Sequence, residues 1–409
     1  MRRWWLLQAL CLCAVSALCV RVFLIGQHNL TVAPSKPESC LQKFLNNNLR
    51  RYAPVWSEKS MPHLYSVIQV DQDDQRRSSV IFTFSTKHVW RNYSNWVNGS
   101  WYCDGLSGTV IGVDTQATEL FVRCDLKGTS QSNLVIEVEP LCDHRLGDCR
   151  MEKYVVDLNI CQNRVQPISK IVICTSILRE DVERVVEWVL YHHLIGFGHF
   201  FIYMRLYNPS YASVLLRRLA RHDLASRVTL VFADSGDYDF MYQQAEQNDC
   251  IQRFVRQKSR WMANLDTDEF LYMPNRKNLI PYLETQRRAK ACGPFGGLTV
   301  QNVFYGAATK DTCRSRLTDC YITRSRRITR GRQKLIIFVE NVMFVSVHMV
   351  SGGDASVTVP THELVLNHYK ISENGPFETK QEDIVEDTGL AREFMVLRWR
   401  LIFTSLLEL

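Results

Sequence analysis

The chain has 409 residues, of which 46% are apolar and 22% charged, and it carries a formal net charge of +7. That length supports a large core and more than one domain, and the apolar share excludes a disordered chain. No nucleic-acid motif accompanies the modest positive charge, so no nucleic-acid partner is expected, and the charge fits either a basic site or an ordinary solvated surface.

Arg2 and Arg3 precede Trp4 to Val20, a run broken only by Gln8 and Ser16, and apolar residues resume from Val22 to Gly26 after Arg21. A bilayer needs about 20 apolar residues, and an arginine near the end of a span can snorkel to the interface. Positive charge ahead of the run predicts a cytoplasmic tip and a single-pass signal-anchor over residues 1–26, with the bulk of the chain lumenal. A cleaved signal peptide, with Ala14 and Ala17 near the cut, is the alternative, although the run exceeds an h-region of about 7–15 residues. Either route enters the secretory pathway. The sequons Asn29-Leu30-Thr31, Asn92-Tyr93-Ser94 and Asn98-Gly99-Ser100 agree with that. Of 14 cysteines, Cys11, Cys13 and Cys19 lie in the anchor, leaving 11 beyond it. An oxidising compartment favours disulfides, and the odd number permits a linked homodimer. Local candidates are Cys313 with Cys320, and pairs among Cys103, Cys124, Cys142, Cys149 and Cys161.

Residues 27–60 are polar and punctuated by Pro34, Pro37 and Pro54, which suits a stem. Over residues 61–165 short β-rich runs follow, bounded by Gly and Asp turns: Leu64 to Val70, Ser79 to Ser85, Thr109 to Val113, Glu119 to Cys124 and Asn133 to Val138. They predict a small β-sandwich-like accessory domain. Its aromatics Trp90, Tyr93, Trp96, Trp101 and Tyr102 read first as core and second as a sugar-stacking platform.

From residue 166 to 409 the period changes. Ile168 to Ile177 reads as a buried strand. In Glu180 to Ile195, Val182, Val185, Val186, Val189 and Leu190 draw one apolar stripe on a helix, which Gly196 and Gly198 stop. His199 to Arg205 is a second strand, and Asn208 to Asp223 a helix opened by Asn208 and Pro209 at cap and first-turn positions. Ser226 to Phe232, Gln243 to Lys258 and Arg260 to Leu265 then read as strand, helix and strand. This alternation predicts an α/β domain with a parallel sheet and helices on both faces. Further strands are expected at Gly296 to Phe304, Lys334 to Val339 and Val342 to Val347, and a closing amphipathic helix at Arg392 to Leu407.

The fourth strand runs directly into Asp266-Thr267-Asp268-Glu269. Three acids so close repel one another and are best tolerated around a cation. At i, i+2 spacing, Asp266 and Asp268 share one side, at the carboxyl end of a strand where open α/β sheets bind ligands. A solvated acidic turn is the plainer reading of the tripeptide alone.

With these residues following three βα units, the chain resembles the glycosyltransferase-A fold and, more narrowly, glycosyltransferase family 92, which includes the pigeon-type β-1,4-galactosyltransferase and nematode galactosyltransferases. The resemblance is carried by Glu187-Trp188, Tyr191-His192 and Leu194-Ile195-Gly196-Phe197, by Asp249-Cys250 with Arg253, and by the acidic motif with Leu271 and Pro274. Lys334-Leu335-Ile336, Val347-His348 and His368-Tyr369 complete it. It implies a single-pass type II Golgi enzyme moving galactose from a UDP-sugar donor to a glycan or glycoprotein hydroxyl, inverting to a β-linkage, with Mn2+.

Under that resemblance Asp268 is the expected direct metal ligand, and Asp266 holds the ribose or a metal-bound water. His368 is the expected imidazole ligand, with His348 second. Lys334 singles itself out of the basic run from Arg314 to Lys334 as a diphosphate contact, while Arg179 and Glu180 flank the nucleotide. An inverting transfer needs a carboxylate to take the acceptor proton, and Glu269, Asp354 and Glu363 are the candidates. The rival classes are a non-catalytic lumenal carbohydrate-binding protein that kept the fold, and a sulfotransferase. Cys174-Thr175-Ser176-Ile177-Leu178 lacks the glycines and lysine that a sulfotransferase phosphate loop needs.

Overall fold

The structure is a computed structural model. It describes residues 63–71, 78–85, 100–103, 106–107, 109–113, 119–126, 133–139 and 152–157, and then 169–407 apart from 178–181, 206–207, 233–241, 257, 275–277, 291–292, 307–316 and 370–383. The expected anchor and stem, the asparagines of the three sequons, Trp90, Tyr93, Trp96, Arg179 and Glu180 lie outside the described residues. None of the described helices is long and apolar enough to cross a membrane.

The first strands are β1 (His63–Asp71), β2 (Ser78–Ser85), β3 (Ser100–Cys103), β4 (Leu106–Ser107), β5 (Thr109–Val113), β6 (Glu119–Leu126), β7 (Asn133–Glu139) and β8 (Glu152–Asp157). They make two four-stranded antiparallel sheets, ordered β1-β2-β6-β5 and β4-β3-β7-β8. Alternation marks the longer strands in the sequence. It misses β3 and β4, which are short, and β8, which opens on Glu152-Lys153.

Next come β9 (Ile171–Ile177), α1 (Val182–Leu194), β10 (His199–Met204), α2 (Pro209–Ala220), β11 (Val228–Phe232), α3 (Tyr242–Cys250) and β12 (Trp261–Asn264). The chain continues through β13 (Glu269–Tyr272), α4 (Leu279–Ala289), β14 (Gly297–Tyr305), α5 (Leu317–Cys320), β15 (Thr323–Ser325), β16 (Thr329–Phe338), β17 (Val342–Val345) and β18 (Val350–Gly353). It closes with β19 (Ser356–Thr358), β20 (Val365–Tyr369), β21 (Ile384–Glu386) and α6 (Gly389–Leu407). Strands β11, β10, β9 and β12 pair in parallel in that order, as the βα alternation requires. The wholly parallel sheet is corrected beyond them. β16 runs antiparallel to β12, and β14 runs antiparallel to β16. Among the described residues between β14 and α6, the one α-helix is the four-residue α5, so the long crossovers that parallel pairing requires are missing there. The path curls, with β20 parallel to β14 and β13 antiparallel to β20.

Local chemistry explains the helix limits. The Asn208 carboxamide accepts from the Tyr211 backbone N–H at 3.0 Å, capping α2, with Pro209 in its first turn. Gly196, at φ +121, takes the left-handed turn that ends α1. α1 and α2 lie on one face of the sheet, where Ile171, Ile173, Val185, Val189 and Leu215 share a core. α3 lies on the other face, and its helix continues as a π turn over Ile251–Val255. Leu390 and Phe394 on α6 are buried four apart, while Met395 and Val396 are exposed, so one stripe of that helix faces the core.

A disulfide that the local cysteine spacings did not reveal joins Cys174 on β9 to Cys250 at the end of α3, with Cα atoms 6.4 Å apart across 76 residues. Cys124 and Cys320 are disulfide-bonded as well. Closing a loop of that length is worth about 4 kcal/mol in the chain-entropy account. Replacing both Cys174 and Cys250 by serine is therefore expected to lower the thermal midpoint by roughly 10 °C. An unchanged melting curve would show that α3 is held by packing alone.

Candidate active site

β12 ends at Asn264, Leu265 is buried, and the chain then turns sharply. The Glu269 backbone N–H donates to the Asp266 carbonyl at 3.1 Å. In return, the Asp266 backbone N–H donates to the Glu269 carboxylate at 2.8 Å. This reciprocal pair folds Asp266 to Glu269 into a tight acidic turn between β12 and β13. It stands beside the place where the strand order reverses between β9 and β12, the usual position of a ligand crevice in such sheets.

One edge of β13 pairs with β20, which sets Glu269 opposite His368. Side chains of α1 satisfy the other edge. Trp188 donates its indole N–H to the Glu269 carbonyl at 2.8 Å, and Tyr191 donates its hydroxyl to the Leu271 carbonyl at 2.6 Å. The Leu271 N–H donates to His192 Nε2 at 3.4 Å, so Nδ1 carries the proton and donates to the Trp188 carbonyl at 2.9 Å. Burial accordingly pushes the His192 imidazole down to about 3, and it is neutral. Next to Trp188, Glu187 accepts from the backbone N–H groups of Leu317 and Thr318 and from the Thr318 hydroxyl, capping α5.

The charges around the turn are paired through a buried ammonium. Lys334, 2% exposed, places Nζ 2.8 Å from Asp266 Oδ2 and 3.5 Å from Glu269 Oε2. Burial opposes its charge, but the Asp266 and Glu269 carboxylates outweigh that and hold Lys334 above its ordinary range. Burial also opposes ionisation of Asp266. With 35% of that side chain exposed, the Lys334 ammonium prevails and holds the carboxyl below the usual range. Gln243 on α3 donates its amide to the other Asp266 oxygen. Glu269 is 1% exposed, and there burial wins over Lys334 and pushes the carboxyl up to about 7. His368 has Nε2 at 3.3 Å from Asp268 Oδ2 and Nδ1 at 3.5 Å from Glu269 Oε1. Burial alone would lower His368, but its bond to Asp268 and the neighbouring carboxylates hold it above the usual imidazole value. Asp268, with a side chain 38% exposed, is the most solvent-facing acid of the three.

Of the candidates, the structure gathers Asp266, Asp268, Glu269, Lys334 and His368 into one cluster. His348 stands at its margin, with Nδ1 donating to the Gln333 carbonyl at 2.8 Å. Burial lowers its imidazole, and Lys334 and Asp266 are both near enough to act on it. Asp354 and Glu363, the other candidates for proton acceptor, do not join the cluster. Asp354 accepts from the Phe295 N–H and the Asn341 amide, both at 3.0 Å, at the far end of β14 and β16. Glu363 accepts from Gln286 at 3.3 Å, five residues before His368 and so about 16 Å away along extended chain. Glu269 is in the cluster but too buried to reach an acceptor hydroxyl.

Gln243 and the supporting trio Trp188, Tyr191 and His192 were not predicted as site residues. Nothing in the spacing of Gln243 marks it, because its partner Asp266 is 23 residues away on another element.

The sequence profile of glycosyltransferase family 92 matches residues 169–398. Among solved structures, the chain is similar to the apo form of a bifunctional glycosyltransferase, WbbM, with a TM-score of 0.22 and 11% identity over 38% of this chain. The chain spans 28% of that protein's length. No curated protein matches it.

Removing the ammonium isolates two carboxylates. Lys334→Met is expected to destabilise the fold by about 3–5 kcal/mol near neutral pH. Glu269 binds its proton more tightly folded than unfolded. Its contribution is therefore present at low pH and lost as pH rises from the ordinary carboxylate range through about 7. Without Lys334 the carboxyl rises further, so the loss in melting temperature should be larger at about pH 8 than at about pH 5.5. An equal loss at both would contradict the pairing.

Proposed function

The chain belongs to glycosyltransferase family 92, hence to the transferases that bind a sugar donor and an acceptor, and on that footing we propose a Golgi enzyme that moves galactose from UDP-galactose to a glycan hydroxyl, inverting to a β-linkage, with Mn2+. The observation that carries the reading is the exposed Asp268 carboxylate, held 3.3 Å from His368 Nε2 at the end of β12. A carboxylate and an imidazole side by side are donor types that would hold a divalent cation there. An imidazole beside a carboxylate suits Mn2+ better than Mg2+.

Among the described residues no three His, Cys, Asp or Glu side chains are grouped to hold a metal ion, so in this reading Asp268 and His368 would hold the cation together with donor phosphate oxygens and water. When bound, the cation supplies positive charge against the departing diphosphate. The chain's own residues prepare for that. Lys334 and Gln243 fix Asp266 as an ionised acceptor for a ribose hydroxyl or a bound water. The acidic turn holds Asp268 outward. Glu269 stands behind His368, where it favours a proton on Nδ1, and a bound cation would take the place of the proton that Nε2 shares with Asp268.

The same reading takes residues 1–26 as the type II anchor in the Golgi membrane, 27–60 as the stem, 61–165 as the accessory domain and 166–409 as the catalytic domain. Its support is the Arg2-Arg3 and apolar run at the amino terminus.

The test is UDP release from UDP-galactose with Mn2+ over a panel of glycan acceptors. Asp268→Ala is expected to lower turnover by about 10²-fold or more while the protein stays folded. Undiminished turnover in that variant, or no UDP release by the unaltered protein with any acceptor, would favour a carbohydrate-binding protein that kept the fold.

A further inference from the structure

Lys334 was the expected diphosphate contact, yet it is buried and already faces two carboxylates. In the UDP-sugar reading a divalent cation would meet part of the diphosphate charge, but the cluster's own side chains, the acids Asp266 and Asp268 with the enclosed Lys334 and His368, offer the remaining phosphate oxygens no cation open to solvent.

The strand that carries Lys334 supplies one. Between the pairs Val300–Lys334 and Asn302–Thr329, two steps along β14 face five along β16, so β16 bulges over residues 330–333. Gly331 takes φ +76 there, the left-handed turn that glycine tolerates. Two side chains hold the bulge at consecutive carbonyls. The Asn302 amide, itself buried, donates to the Arg332 carbonyl, and His348 Nδ1 lies 2.8 Å from the Gln333 carbonyl. A protonated Nδ1 there donates to that carbonyl and leaves Nε2 as the free nitrogen.

The Arg332 side chain is exposed, two residues and about 7 Å of chain from Lys334. Lys334, Asp266 and Arg332 all act on the His348 imidazole, so the four groups share one electrostatic neighbourhood. Bulges next to active sites commonly serve to re-aim a side chain.

We propose that Arg332, turned out of β16 by this clamped bulge, is the donor-binding cation that contacts the diphosphate of the nucleotide sugar. The inference rests on the UDP-sugar reading above and adds the residue that reads the phosphates. A guanidinium suits them because its fork of N–H donors matches two phosphate oxygens at once. His348 is then a positioning residue for the bulge.

The experiment compares UDP with uridine by isothermal titration calorimetry on the full chain with Mn2+. Arg332→Gln is expected to weaken UDP by about tenfold or more and to leave uridine unchanged, because only the charge-assisted bonds to phosphate are lost. Arg332→Lys should recover part of the affinity by restoring the charge without the fork. Arg326→Gln, an exposed arginine outside the bulge, should leave both ligands unaffected. Equal weakening of UDP and uridine by Arg332→Gln, or unchanged UDP affinity, overturns the proposal. So does a variant whose UDP affinity is intact while the acceptor KM rises, which would assign Arg332 to an acidic acceptor. If the unaltered protein binds no UDP, the donor reading itself falls, an outcome distinct from a failure of the arginine variants alone.

Discussion

A buried ammonium between two carboxylates sets the geometry of this molecule's acidic turn. Lys334 reaches from β16 to Asp266 and Glu269, and neither Lys334 nor Glu269 has solvent to share its charge with. Ions taken out of water cost several kcal/mol each unless they are paired with good geometry. The reciprocal backbone bonds of the turn supply that geometry, and the pairing ties the end of β12 to a strand 68 residues further along the chain. With Asp266 and Glu269 both held by Lys334, the third acid, Asp268, is left to pair with His368. The division of labour among three adjacent acids thus follows from which of them the lysine can reach.

The residues that carry the family resemblance in α1 are supports for this arrangement. A short strand such as β13 exposes unpaired backbone groups on any edge without a neighbouring strand, and burying them without partners is costly. Trp188, Tyr191 and His192 present an indole N–H, a hydroxyl and an imidazole nitrogen at helical spacing, and these satisfy that edge in place of a strand. Asp249 has a comparable place on α3, where it accepts from the Tyr203 hydroxyl and the Arg253 guanidinium. Cys250 beside it is covalently tied to β9. The cluster therefore sits between two helices that are each fixed by polar contacts, and Gln243 on α3 is thereby brought to Asp266.

Much of this was legible in the sequence where periodicity speaks. The βα alternation places β9 to β12 and the helices between them, because apolar stripes and caps are local signals. The mixed half of the sheet was not legible. Whether Lys334 to Phe338 pairs parallel or antiparallel is decided by connections whose paths local pattern does not encode. Asp266 and Asp268 stood out through spacing and position, and Lys334 through being a charge at the head of an apolar strand. What Lys334 faces depends on register, so its reading as a diphosphate contact gave way to an internal ion pair. That Asp354 and Glu363 stand apart from the cluster was not legible for a similar reason: composition places an acid in a loop but not at one end of a sheet. Gln243, Asn302 and the Cys174–Cys250 bond are long-range partnerships, with no trace in local spacing.

The account stands on Asp268 and His368 holding a divalent cation, with His348 reserved for the bulge. Pulsed electron paramagnetic resonance of Mn2+ bound to the protein with UDP tests this most directly, because a coordinated imidazole nitrogen modulates the manganese signal. The account predicts nitrogen modulation that disappears in His368→Gln and persists in His348→Gln. Modulation lost in His348→Gln instead, or no nitrogen coupling in the unaltered protein, would contradict it.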